Sequence, residues 1–341
     1  MKTRRLLSLL GLLAASTGLL SAALDTRTYS SRAQSVTLNG AACPEVTGWS
    51  GGDIAGTVTT SALGGAMKKH ISSIGYDPIV VETSLPLSAA FSDTLSNFLS
   101  GKNTPQTLTL TTTDFDGKPE STLQATNALI EEVQFPKLDG SSKEPARLTF
   151  LFRAKSVKPI ATETSTKGPK SSRTSALAAN FRIAIDGLPS TRIASIEAFT
   201  IKSSTAGRAP GVFNAQQQSS TPNISDLTVA ISQSDRDGWT AWRDTFLVQG
   251  NSQEAQEKSG TLELLSPDLK TPLFTLKLSN LGLIRLSTPP TEGESIARLQ
   301  AELYIESASL PTTTNAPVKT LPQSPANLNN IAPIKRAIPK P

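Results

Sequence analysis

The chain has 341 residues, a formal charge of +5 and a single cysteine, Cys43. One cysteine excludes any intramolecular disulfide, so the fold must stand on its apolar cores. Setting aside Lys2, Arg4 and Arg5 at the N-terminus leaves 30 basic against 28 acidic residues, which excludes a nucleic-acid surface of the usual strongly basic kind.

The first element is "MKTRRLLSLLGLLAASTGLLSAALDT". Its basic start, apolar run Leu6–Leu20 and small residues Ser21-Ala22-Ala23 have the form of a secretory signal peptide over 1–23, cleaved near Ala23. The apolar run falls short of the ~20 residues of a spanning helix. The expected location is therefore outside the cytoplasm, periplasmic or extracellular.

From Ser35 the chain reads "SVTLNGAACPEVTGWSGGDI", two strand runs parted by Asn39-Gly40, a turn at which positive φ costs little. A Gly/Ser/Ala-rich stretch at 55–75 reads as a polar loop. A strand at Ile79–Thr83 precedes a helix on which Phe91, Leu95 and Phe98 make an apolar stripe, stopped by Gly101. Alternating runs "TLTLTTT" and "LIEEVQF", then "ARLTFLFRAKSV" from Ala146, complete this region with strands.

The Ser/Thr-rich stretch 159–179 reads as a flexible connector. Beyond it the same layout returns. Asp186-Gly187 answers Asn39-Gly40, and Ile193 answers Val46, each at an offset of 147. A second loop is expected at 203–222. Leu227 answers Ile79 and Gly250 answers Gly101, at offsets of 148 and 149. In "DRDGWTAWRDTFLVQG", Trp239, Trp242 and Phe246 sit at i, i+3 and i+7 and repeat the stripe of the first helix. A ligand platform would need the surrounding charges more than the stripe. Both copies keep the stripe while the charges change, so the tryptophans are read as packing residues. "FTLKLSN" and "ARLQAELYIESA" close the second region. The expectation is a tandem duplication, 35–158 and 180–310, each half a small β-barrel or sandwich with one flanking helix. The tail 311–341 has seven prolines and no acid, so it cannot build a regular core and is expected to be disordered or to dock as an extended segment.

"FRIAIDGL", "RIASIEAFTI", "LTVAISQSDRDGWTAWRDTFLVQG" and "ARLQAELYIESASL", in that order, resemble the tail-tube protein family of contractile phage tails and phage-like injection systems. That family shares its fold with the haemolysin-coregulated tube protein of type VI secretion. The resemblance is direct over about 181–310 and reaches 35–158 through the internal repeat. It implies a mainly β fold of two tandem tail-tube-like β-barrels, each with one flanking α-helix. It also implies rings of six domains, here supplied by three chains, with loops 55–75 and 203–222 reaching neighbours. The partner is then the protein itself, with an envelope or tube-associated protein as a second candidate at the tail. The signal peptide is a departure, because tube proteins of that family assemble in the cytoplasm. An exported monomeric binding module on the same barrels stays open as the alternative.

Chemistry-bearing residues are few. His70, the only histidine, stands in polar "AMKKHISS", and Cys43 in "AACPEV" has no local catalytic signature. One His and one Cys cannot make a usual transition-metal cluster. "DFDG" at 114–117 lacks the later ligands of a calcium loop and reads as a hairpin turn. "GGDIAG" at 51–56 lacks the Lys of a phosphate loop. Glu131 and Glu132 alternate along a strand and point to opposite faces. No catalytic residue, cofactor, metal or nucleic acid is expected.

Overall fold

The structure, a computed structural model, describes residues 33–63, 66–114, 118–161, 175–204, 221–289 and 297–311. The proposed signal peptide and almost all of the tail lie outside them. The first half contains β1 (Ala33–Leu38), β2 (Ala41–Ala42), β3 (Val46–Ser50), β4 (Ile54–Leu63), β5 (Ala66–Tyr76) and β6 (Ile79–Ser84). Helix α1 (Ala89–Leu99) follows, then β7 (Gln106–Thr113), β8 (Pro119–Phe135), β9 (Leu138–Asp139), β10 (Arg147–Arg153) and β11 (Ser156–Pro159). The second half contains β12 (Phe181–Ile185), β13 (Ile193–Ile196), β14 (Phe199–Lys202), β15 (Asn223–Ile224) and β16 (Leu227–Ser232). Helix α2 (Arg236–Arg243) comes next, then β17 (Lys258–Leu265), β18 (Pro272–Ser287) and β19 (Arg298–Ser309). The protein is mainly β.

The first sheet has the order β2-β1-β7-β8-β10-β6-β3. Its two ends nearly close on each other: the Gln34 side-chain amide donates to the Trp49 carbonyl at 2.9 Å and accepts from the Trp49 N–H at 3.0 Å. One side chain thus stands in for a missing backbone ladder, and the sheet is barrel-like. The second sheet has the order β12-β17-β18-β19-β16-β13-β9. Element for element, β1, β7, β8, β10, β6, β3 correspond to β12, β17, β18, β19, β16, β13.

Bulges fall at matching places. β8 carries one at Glu131, between the pairs Leu151↔Glu132 and Phe152↔Ile130. β18 carries one at Ile284, between Arg285↔Glu302 and Leu283↔Leu303. Thr47 in β3 and Ala194 in β13 are likewise skipped between ladder pairs. An extra residue bends its strand and raises its twist, so matched bulges impose matched curvature.

Both helices follow the strand expected to lead into them. Ser88 caps α1, accepting from the Phe91 N–H, and the buried carboxylate of Glu45 accepts the free Ser88 N–H at 2.8 Å. Phe91, Leu95 and Phe98 are buried, with the Phe91 and Phe150 rings 4.9 Å apart. In α2, Trp239 is fully buried and donates its indole N–H to the Pro189 carbonyl at 3.0 Å; Trp242 and Phe246 are buried beside it. The helix ends in a wider π turn at Asp244–Val248 before Gly250, whose φ of 73° closes it as Gly101, at 76°, closes α1.

Two expectations need correcting. Residues 55–75 are not a loop but the two-stranded ribbon β4–β5, paired from Ile54↔Tyr76 to Leu63↔Ala66. Small polar residues with a Gly-Gly break are compatible with either state, and a ladder pairs the inward-facing backbone groups that a loop of this length would leave to water. The connector is also less free than expected at its ends. β11 pairs with β8, and Ala176 and Ala178 are buried, with Ala146 N–H donating to the Ala176 carbonyl at 2.8 Å. Residues 162–174 of it, and 205–220 of the 203–222 loop, lie outside the described residues.

Candidate assembly interface

The two halves of the chain each add a strand to the other half's sheet. β14, from the second half, adds to β8 of the first in the register Phe199↔Phe135, Thr200↔Gln134, Ile201↔Val133 and Lys202↔Glu132. The short β9 returns the favour, pairing Leu138 with Ile196 of β13. Where β8 and β14 meet, Phe135 and Phe199 stack with centroids 4.4 Å apart and planes 7° apart, and Phe274 of β18 lies 6.0 Å from Phe135. Lys202 pairs with Glu132 at 3.3 Å and Lys137 with Glu197 at 2.8 Å, both across the joint. The bond to Glu197 holds Lys137 above its ordinary pKa, and hydrogen bonds from the Ser141 hydroxyl and amide hold Asp139 below its own. These exposed pairs fix register more than they stabilise; the aromatic stack and the buried Ile201 and Val133 supply the adhesion. Behind the joint, Arg153 and Glu131 form a buried ion pair at 2.8 Å, and Ser203 N–H donates to the Glu131 carbonyl.

The ribbon is the second feature. Among the described residues β4 and β5 pair only with each other. Opposed residues of an antiparallel pair share a face. One face therefore carries Ile54, Val58, Ile71, Ile74 and Met67, all between 56 and 71% exposed. The other carries Thr57, Ser73, Thr59 and His70. A two-stranded ribbon with a bare apolar face is marginal on its own, and each isoleucine covered by a partner would stabilise the contact by about 1.5–3 kcal/mol.

The chemistry-bearing residues are scattered. His70 is exposed on the polar face of the ribbon, opposite Thr59. Cys43 is buried, and burial, aided by nearby Glu45, pushes its thiol up to about 11, far from a nucleophilic thiolate at neutral pH. Asp114 closes a hairpin through its backbone and side-chain bonds to Lys118; the turn itself, 115–117, is outside the described residues. Gly51 and Gly52 both take φ of +83° and lead the chain into β4. Glu131 and Glu132 serve different cations, Arg153 and Lys202. Among the described residues no group of three or more His, Cys, Asp or Glu side chains could hold a metal ion. The tryptophan pair is core: Trp242 meets Trp239 and Phe246, with the Lys258 ammonium 5.4 Å from its ring.

The ribbon and the joint escaped the sequence reading. The Gly64-Gly65 break after a run rich in β-branched residues, Ile54 to Thr60, was the available signal for the ribbon. For β14 on β8 there was only an aromatic in each segment, Phe135 at the end of β8 and Phe199 at the start of β14.

No family model matches the chain, and no curated protein does. Over part of its length it is similar to solved structures that include the following three. One is the sheath/tube terminator of an extracellular contractile injection system, PVC, in the extended state, at 19% identity, covering 38% of this chain and 93% of that one, with a TM-score of 0.33. A second is the sheath–tube complex of that system, at 18% identity over 44% of this chain and 100% of that one, TM-score 0.34. The third is the tube-terminating cap of the anti-feeding prophage, at 19% identity over 44% of this chain and 100% of that one, TM-score 0.34.

Proposed function

We propose that the chain is a non-enzymatic structural protein that assembles with copies of itself into rings or a tube. Its units are two tandem tail-tube-like barrels, 35–158 and 180–310, joined by 159–179. The observation that carries the proposal is the joint of β14 on β8: this fold already adds one unit's strand to another unit's sheet. Matched strand order and matched bulges support a duplication. Two units per chain then let three chains fill six similar positions around a channel, with the ribbon and the 203–222 segment reaching between chains or rings. The Pro-rich tail is the candidate contact for an envelope or tube-associated protein.

Sedimentation of the full chain over a hundredfold range of concentration tests the proposal. Trimers or larger species are expected; a strict monomer throughout supports the binding-module alternative instead. Export rests on the N-terminal segment alone. Sequencing secreted material should find a start near Leu24, and an intact Met1 in a soluble cytoplasmic pool would rule export out.

A further inference from the structure

We propose that the ribbon of one copy completes the second sheet of another, its β4 edge adding to β18 as β14 adds to β8 within the chain. This rests on the assembly reading above and names the surfaces it uses.

The correspondence is residue by residue. At the base of the ribbon, Ile54 pairs with Tyr76, and Asp77 N–H donates to the Asp53 carbonyl. At the base of its counterpart, Ile201 pairs with Ile224, and Ser225 N–H donates to the Thr200 carbonyl. Ile54 therefore stands where Ile201 stands. On the receiving side, the matched bulges put Arg285 and Leu286 where Glu132 and Val133 stand.

Within the chain the donor Ile201 and the acceptor Val133 are both fully buried. Their counterparts are not: Ile54 is 71% exposed, Leu286 is half-buried, and Ile284 beside it is 41% exposed. β14 has two neighbours, β15 and β8, whereas among the described residues β4 has only β5. β8 at 132–134 is paired on both sides, whereas β18 at 285–287 is paired only with β19 among the described residues. One donor edge and one acceptor edge thus remain open, each the counterpart of an edge already filled. Open backbone edges favour strand addition.

The helices show the same asymmetry. α1 touches β19 across the internal joint, and its Leu99 is buried. At the corresponding end of α2, Leu247 and Val248 are 41 and 74% exposed. Donor and acceptor are different surfaces, so the contact joins copies head to tail, the arrangement that closes rings. The aromatic stack is not repeated, since Gly52 and Thr288 occupy the places of Phe199 and Phe135. The joint between chains is held by the strand ladder and the apolar ribbon face.

The register predicts Ala55 of one copy opposite Arg285 of the next. The full chain carrying Ala55→Cys with Arg285→Cys should, on mild oxidation, give a ladder of covalent multimers, and either substitution alone no more than dimers. Thr59→Cys with Arg285→Cys, four residues out of register, should give no ladder. Ile54→Asp should leave each chain folded, with an unchanged circular dichroism spectrum, because the side chain is exposed within one chain, and lose the oligomer. An oligomeric chain with no ladder from the in-register pair, or with equal ladders from both pairs, overturns this joint and leaves self-assembly standing on another surface. A parent chain that is monomeric at every concentration overturns both.

Discussion

Trp239→Ala should lower stability by about 3–5 kcal/mol, the range for removing a large buried aromatic. Trp239 is fully buried, meets Trp242 edge-on with centroids 6.0 Å apart, and anchors α2 to the chain before β13 through its bond to the Pro189 carbonyl. Alanine loses the ring's transfer free energy, opens a cavity and leaves that carbonyl short of a donor. The surroundings have little room to collapse, because Gly238 packs so closely on Pro189 that even a Cβ there would meet its ring at 2.6 Å. Urea unfolding followed by tryptophan fluorescence reads the change. A loss below about 1 kcal/mol would mean that the indole is dispensable packing and that the stripe is not what seats α2.

Arg153→Ala should cost a similar amount, about 3–5 kcal/mol, because it removes the guanidinium from a buried carboxylate. Arg153 and Glu131 side chains are each 10% exposed and meet at 2.8 Å. Arg153 already keeps Nε and Nη1 without a partner among the described residues, so the pair carries a desolvation cost that its attraction only partly offsets. Replacing both, Arg153→Met with Glu131→Leu, should recover most of the single-variant loss, since an apolar pair of similar volume needs no compensation. Ser203 N–H donates to the Glu131 backbone carbonyl, which the substitution leaves in place, so β14 should stay on β8 in the double variant. Thermal unfolding of the three chains decides this. If the double variant is no better than the single, the ion pair holds the joint together in its own right.

The parts of this fold legible in the sequence were those with a local physical cause. Helix stripes at Phe91/Leu95/Phe98 and Trp239/Trp242/Phe246 follow from a 3.6-residue period and one buried face. Gly101 and Gly250 follow from the left-handed turn that ends each helix. Val46 and Ile193, and Ile79 and Leu227, matched by spacing in the sequence, lie on strands at corresponding places of the two strand orders, β3 and β13, β6 and β16. The ribbon was missed for a physical reason. Solvent reaches both of its faces, so the polar positions Thr59, Thr60 and Ser61 sit among its apolar ones and blur the period-two pattern that a half-buried strand imposes. The joint was missed because Ile201 meets Val133 across 68 residues of chain, and nothing local in either segment names the other. Of the candidate interface, the strand runs that became β8 and β14 were thus legible, but neither their pairing nor the ribbon was.

On the proposed assembly, three chains present six similar units around a channel. Electron microscopy of the assembled full chain, with particles averaged without imposed symmetry, tests it most directly. End-on views should show six lobes whose density repeats fully every third of a turn, with neighbouring lobes alike but not identical. Closed two-fold dimers, or particles no larger than one chain, would contradict it.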